Sequence, residues 1–257
     1  MPAELIEFNP YVLRAVDFLA QNYAGLGYGN SAFTHDLPFG KDASLKAQKP
    51  PYTMCVAAQL EIIVTALNIY AEETNDYSPF SFLPRTSWER LGKKDLRGMI
   101  WIVEGSGSLG TADALTKFGM GELRPFSALT PGSFVNLNRK KTGHAVTFLA
   151  YLDAAGTELS EYSGEVVGFK YFSSQGNKEN GGFGYRWAFF SDVPCPTLNG
   201  GRQRDCGVLR SDEQKILNTG VLLRPAQWSS PQIEILEGDD VEGIFDDTYF
   251  DGLTTDD

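Results

Sequence analysis

The chain has 257 residues, of which 42% are hydrophobic and 12% aromatic, so it can bury one large core or two small ones. Its net charge of −11 is uneven, because ten Asp and Glu residues and no Lys or Arg follow Arg224. Neither part of the chain has the basic patch that binding to nucleic acid requires. No stretch approaches the length of about 18 uninterrupted apolar residues typical of a membrane span, so we expect none.

Two helices are predicted in the first third of the chain. Residues 9–24 repeat apolar residues at helical spacing and open with an Asn-Pro start signal. Residues 54–73 form the longest candidate and are apolar almost all round, which indicates a central buried helix. From Ser133 onward, β-rich runs separated by turn residues predict antiparallel strands. This order indicates one α+β domain over residues 1–230, with an N-terminal helical extension, followed by an acidic tail over residues 231–257.

The three cysteines and two histidines are few enough to consider one by one. Cys55 lies where the Pro50-Pro51 turn becomes the long apolar helix, and a helix N-terminus favours an anion by about 0.3–1 kcal/mol. A cysteine nucleophile also needs a nearby base. His144 begins a predicted strand, where we expect it at an edge of the sheet, whereas His35 lies in a loop-like segment. Cys55 and His144 are therefore a candidate dyad, and a buried core cysteine with an unrelated histidine is the alternative.

A glycine-rich segment has the spacing of a dinucleotide-binding turn. Gly105, Gly107 and Gly110 form a Gly-x-Gly-x-x-Gly pattern between an apolar stretch and a helix-like one. However, a Leu-Thr-Pro-Gly turn at residues 129–132 stands where that fold has a second strand ending in an acidic residue, and repeated βαβ units are missing. We therefore expect a surface turn beside a cleft, with no cofactor and no metal ion.

The stretch before the second histidine resembles a segment of NlpC/P60-type cysteine peptidases. Residues 129–132 match the Leu-x-Pro-Gly turn of that segment, Ser133 replaces its usual acidic residue, and His144 begins the next strand. The family also places its cysteine at the N-terminus of a buried helix upstream of that histidine, as with Cys55 here. The Asp-Cys-Ser sequence often seen around the family's nucleophile is not kept.

This resemblance implies a papain-like α+β core in which the helix that bears the nucleophile packs on an antiparallel sheet. Cys55 would attack an amide carbonyl, and His144 would take the thiol proton and later protonate the leaving amine. The implied substrate is a peptide stem or crosslink of bacterial peptidoglycan. A host-directed papain-like protease or deamidase, and a non-catalytic binding module on the same fold, stay open as alternatives.

A third group should orient the imidazole. If the strand that begins at His144 pairs with the next β-rich run, His144 faces the region of Ser174, which makes Ser173, Ser174 and Gln175 candidates. Gln175 is preferred because its carbonyl can accept a hydrogen bond from the ring. Asp153, at the far end of the histidine strand, is the weaker alternative.

The backbone N–H of Cys55 and one further donor would form an oxyanion hole. Tyr52 could bring its hydroxyl to the site or pack on the Pro-Pro turn. Trp187 and its aromatic neighbours could line a substrate groove, although packing within a strand explains them more simply.

Cys195 and Cys206 bracket a polar loop without histidine ligands, which favours a disulfide over a zinc site. A disulfide indicates an oxidising compartment, yet the N-terminus does not have the pattern of a signal peptide. This combination looks like type VI secretion amidase effectors, which implies action in a target cell's periplasm and a cognate immunity protein as partner. The acidic tail is either a solvated end or a docking segment. If the cysteines are reduced, a cytoplasmic role stays open.

Overall fold

The computed structural model describes residues 7–234. Within this range the helices are α1 (Asn9–Asn22), α2 (Cys55–Thr74), α3 (Arg85–Glu89), α4 (Leu96–Ile100) and α5 (Thr111–Lys117). The strands are β1 (Leu37–Phe39), β2 (Ala43–Leu45), β3 (Gly121–Leu123), β4 (Phe134–Asn138), β5 (Gly143–Leu152), β6 (Glu158–Leu159), β7 (Gly168–Gln175), β8 (Gly182–Phe190), β9 (Arg204–Val208) and β10 (Asn218–Leu222). The predicted α+β class is thus confirmed.

Helix α2 is the centre of the larger core. It follows Met54, which is extended, and ends at Asn75 in the left-handed conformation. Its apolar residues are buried on nearly every side, as the sequence predicts. Helix α1 packs along α2 and adds its own apolar side chains to the same core. By length and composition alone α2 would also fit a membrane span, but most of its surface is covered by the rest of the described chain.

The large sheet has the strand order β3-β10-β4-β5-β7-β8-β9, with β6 paired to β5. The expectation of antiparallel strands is right for most neighbours and wrong at one edge, where β9 runs parallel to β8. A parallel neighbour requires a crossover, and the excursion over residues 191–203 provides it. Strands β9 and β10 and the β1–β2 hairpin were not predicted, because these short runs lack a clear apolar alternation.

The pairing of β5 with β7 is antiparallel as expected, but it is shifted by one residue from the register inferred from the sequence, which set His144 opposite Ser174. Thr147 pairs with Phe172 and Phe148 with Tyr171, and a bulge follows before Ala150. Continued to the other end of the strands, this register sets His144 opposite Gln175. The placement of His144 at an edge of the sheet is wrong, because β5 lies between β4 and β7 in its interior.

The Leu-Thr-Pro-Gly turn leads into β4 as expected. The Ser133 hydroxyl donates to the carbonyl of Thr130 and accepts from its N–H, so it closes the turn. Gly132 has a φ of 96° and donates its N–H to Phe148 in β5. The turn therefore connects β4 to the strand that carries the candidate histidine.

The contact between β7 and β8 offers a direct test of this sheet. A Cβ on Gly168 would lie 2.0 Å from the carbonyl oxygen of Ala188, whereas a Cβ on Gly164 would meet nothing within 4 Å. We expect Gly168→Ala to lower the free energy of unfolding by at least about 2 kcal/mol, because the strands must separate. Gly164→Ala is the matched control and should stay within about 0.5 kcal/mol of wild type in urea unfolding. Equal stabilities would contradict the β7–β8 register.

Candidate active site

Cys55 is the first residue of α2 and is 7% exposed. The first intrahelical hydrogen bond runs from Ala58 N–H to the carbonyl of Met54, at 2.8 Å. The N–H groups of Cys55, Val56 and Ala57 therefore have no acceptor within the helix and point toward the space before it. This arrangement suits a developing negative charge on a bound carbonyl oxygen.

Two hydrogen bonds tie the start of α2 to the strands that carry His144 and Gln175. The carbonyl of Thr53 accepts a hydrogen bond of 2.9 Å from the Ser174 hydroxyl on β7. The amide nitrogen of Gln59 donates to the carbonyl of Ala145 on β5, at 3.1 Å. Since Ser174 precedes Gln175 and Ala145 follows His144, the start of α2 is held against the strand segments that carry both residues, whose side chains point to the other face of the sheet.

Gln59 is a site residue that the sequence reasoning missed. It is fully buried, and its carbonyl oxygen accepts from the Thr147 hydroxyl at 2.8 Å. Residues four apart share a helix face, so Cys55 points toward the sheet on the same side as Gln59. The available signal was a polar residue one turn after Cys55 in an otherwise apolar run.

His144 and Gln175 meet as predicted. His144 Nε2 lies 3.4 Å from Gln175 Oε1, and both side chains are buried. Gln175 Nε2 donates to the carbonyl of Gly184 at 3.1 Å, which fixes the amide so that its oxygen faces the imidazole. Gln175 can then only accept from the ring, so this contact favours the tautomer with its proton on Nε2 and its lone pair on Nδ1.

The other candidates for the third group form hydrogen bonds with other parts of the chain. The Ser174 hydroxyl donates to the carbonyl of Thr53, and the Ser173 hydroxyl donates to the carbonyl of Ala145 at 2.6 Å. Asp153 accepts from the N–H groups of Ala155 and Thr157, and so closes the turn between β5 and β6. Among the four candidates, the structure brings Gln175 to the imidazole.

The pairing between β5 and β7 ends before it reaches His144, although β5 stays paired with β4 there. The paired register of β5 and β7 ends at Thr147 and Phe172. Beyond the Thr147–Phe172 pair, the carbonyl of Ala145 accepts hydrogen bonds from two side chains, which are the Gln59 amide and the Ser173 hydroxyl. Ala145 belongs to the core under α2, whereas Val146 and Phe148 belong to the core on the opposite face.

His144 lies beyond this end of the pairing, on the side of Val146, since alternate residues of a strand share a face. Its ring contacts the edge of Tyr171, with ring centroids 5.7 Å apart. The Tyr171 hydroxyl donates to Asp205 at 2.8 Å, and Arg139 forms a two-point ion pair with the same carboxylate. Burial, followed by the nearby Asp205 charge, raises the pKa of Tyr171 well above its usual value, so this phenol stays a neutral donor.

The glycine-rich turn has its own internal partners. Asn136 Oδ1 accepts from the N–H of Thr111, and Lys117 Nζ donates to the carbonyl of Gly107. A Cβ on Gly110 would lie 2.3 Å from Asn136, so its glycine is required by close packing. Within residues 7–234 no group of three or more His, Cys, Asp and Glu side chains could hold a metal ion.

Tyr52 and His35, which were considered for the site from the sequence, both make packing contacts away from His144. The Tyr52 ring occupies the space beside Gly27 and lies 5.3 Å from Lys178 Nζ, which favours its packing role. His35 stacks on Tyr23, and its Nδ1 lies 3.5 Å from the fully buried carboxylate of Glu61. This second histidine therefore belongs to a separate cluster.

Cys195 and Cys206 form the expected disulfide, with their Cα atoms 5.8 Å apart. Cys55 is thus the free thiol of the chain. The aromatic run around Trp187 lies in β8, where Lys170 and Arg202 approach the Trp187 ring, so it contributes to the packing of the sheet.

No protein-family model matches the chain, and no curated protein or solved structure matches it either.

The role of Gln59 can be measured as stability. Gln59→Met keeps the side-chain length but leaves the buried Thr147 hydroxyl without its acceptor and removes one of the donors to Ala145. We expect the free energy of unfolding to fall by about 2–3 kcal/mol. The same substitution at Gln21, an exposed position of α1, is the control and should be nearly neutral. Equal effects in chemical unfolding would show that the buried amide does not hold α2 on the sheet.

Proposed function

We propose that the chain is a cysteine hydrolase that cleaves an amide bond, built on a papain-like core of the NlpC/P60 type. The observation that supports it most is the buried His144–Gln175 pair on two strands, β5 and β7, to which the start of α2 with the free thiol Cys55 is hydrogen-bonded. The order of cysteine, then histidine, then amide along the chain is also that of the papain-like arrangement.

The proposed reaction begins with transfer of the Cys55 thiol proton to Nδ1 of His144. The thiolate attacks the amide carbonyl, a carbon–sulfur bond forms, and the developing oxyanion is stabilised by N–H groups at the start of α2. The carbon–nitrogen bond then breaks as the imidazolium gives its proton to the leaving amine. Water hydrolyses the thioester with His144 as base, which releases a carboxylic acid and restores the thiol.

The end of the β5–β7 pairing is where thiol and imidazole would meet. Cys55 points toward the sheet from the α2 side, and His144 lies there on the other side. Gln59 and Ser173 occupy the neighbouring part of the sheet, so they would limit how far either group can move. Gln175 would hold the ring in the orientation that presents Nδ1.

Peptidoglycan peptides are the substrate that we propose, on the strength of the family resemblance. The disulfide suits an oxidising compartment such as the periplasm of a target cell. Delivery without a signal peptide, as by type VI secretion, and an immunity protein as partner would complete this setting. The acidic tail that could dock such a partner lies, beyond residue 234, outside the described residues.

Thiol reactivity tests the dyad without any assumption about substrate. Cys55 should react with iodoacetamide at neutral pH at least about tenfold faster than in His144→Ala, because the imidazole helps to form the thiolate. His35→Ala is the matched control, since His35 contacts Glu61 instead, and its rate should equal that of wild type. Mass spectrometry of the intact protein gives the rates. A wild-type rate no greater than that of an ordinary free thiol would favour the binding module.

Digestion of purified peptidoglycan tests the substrate. Wild type should release new fragments and Cys55→Ala none, while Gln175→Ala should lose about tenfold or more in rate because the imidazole loses its orientation. Mass spectrometry of the fragments identifies the bond that is cut. Identical fragments from wild type and Cys55→Ala would remove Cys55 from the mechanism. If neither cuts, cleavage or deamidation of host proteins becomes the function to test.

A further inference from the structure

A cavity of about 230 Å³ lies directly beside the His144–Gln175 pair. Gln175 forms part of its wall, so an occupant would sit within one side chain of the imidazole. The residues that line the cavity include Arg139, Tyr171, Gln175, Arg186, Arg204 and Asp205. The mechanism above uses only Gln175 from this set.

The cavity carries an excess of positive charge. It is lined by three guanidinium groups and one carboxylate. That carboxylate is already satisfied, because Arg139 binds both oxygens of Asp205 and Tyr171 donates to one of them. Asp205 is therefore neutralised by Arg139, and the charges of Arg186 and Arg204 remain.

Arg186 and Arg204 are available to a ligand. Neither side chain forms an ion pair with another residue among 7–234. Arg204 donates one N–H to the carbonyl of Pro196. Arg186 is half-buried and lies opposite Tyr171 across β7 and β8. The guanidinium group matches a carboxylate through two parallel hydrogen bonds.

Strand β8 has glycines opposite the end of β7, and the space at Gly182 is filled by the backbone of Gly27, 2.9 Å from where a Cβ would lie. Gly182 and Gly184 are the β8 partners of Gln175 and Ser173. A Cβ on Gly184 would meet only the Gln175 amide, at 3.6 Å. No β8 side chain therefore covers Gln175 from these two positions.

We infer that this cavity binds a carboxylate of the substrate next to the amide bond that is cleaved. The inference rests on the proposed function and narrows it to peptides that carry a free carboxylate close to that bond. Peptidoglycan stems offer two such groups, the α-carboxylate of a γ-linked glutamate and the terminal carboxylate. Amidation of either one removes the charge that the arginines recognise.

Binding to Cys55→Ala protein tests the carboxylate subsite apart from catalysis. The probe is L-Ala-γ-D-Glu-L-Lys-D-Ala-D-Ala, compared with twins amidated at the glutamate α-carboxylate or at the C-terminus. Isothermal titration should show that one of the two amidations weakens binding by about tenfold to a hundredfold, as expected for loss of a charge-assisted pair. Arg186→Gln and Arg204→Gln should weaken binding of the free acid similarly and leave binding of that amidated twin unchanged. Arg85→Gln, in α3, is the control.

The outcomes separate this inference from the proposed function. Arginine substitutions that weaken acid and amide alike, or no binding of any peptide, would overturn the carboxylate subsite. Selective loss of binding in the arginine variants, with no hydrolysis by wild type, would keep the subsite and remove the hydrolase.

The acidic tail is a second source of carboxylates, and deletion of residues 235–257 tests whether the tail binds the same arginines. A rise in peptide affinity on deletion, cancelled by Arg186→Gln, would show that the tail competes for the same arginines.

Discussion

The buried amide of Gln59 is the interaction on which the candidate site depends. It joins α2 to β5 through Ala145 and Thr147, and the Ser174 hydroxyl fixes the residues just before Cys55 to β7. A polar group in an apolar core is stable only when its hydrogen bonds are made. These contacts therefore fix the rotation of α2 about its own axis and its position on the sheet. Together they determine which part of the sheet Cys55, the first residue of α2, faces.

The same constraint explains the shape of the sheet at the site. Side chains from α2 and β7 take the carbonyl of Ala145, so the ladder between β5 and β7 ends before it reaches His144. Here side chains satisfy the Ala145 carbonyl in place of the ladder, and the imidazole lies 3.4 Å from the Gln175 amide at the end of the two strands.

Much of this arrangement could be predicted from local sequence. The all-apolar run predicted α2, and the paired β-rich runs predicted that His144 would face Ser173, Ser174 or Gln175, among which the chemistry of the amide favoured Gln175. What could not be predicted depends on distant parts of the chain. Strand β10 is short, contains Gly220 and is inserted between β3 and β4, so only tertiary packing reveals it. The direction of β9 depends on a crossover that alternation does not encode. The arginine-lined cavity joins residues from four separate strands or loops, and no linear motif marks it.

The disulfide has a consequence for when the site becomes complete. Cys206 is the neighbour of Asp205 on β9 and lines the arginine cavity, and its bond to Cys195 braces this edge strand. In a reducing cytosol that brace would be missing, whereas an oxidising compartment would form it. Oxidation would then act as a maturation step for substrate recognition while leaving the Cys55 thiol and its helix untouched.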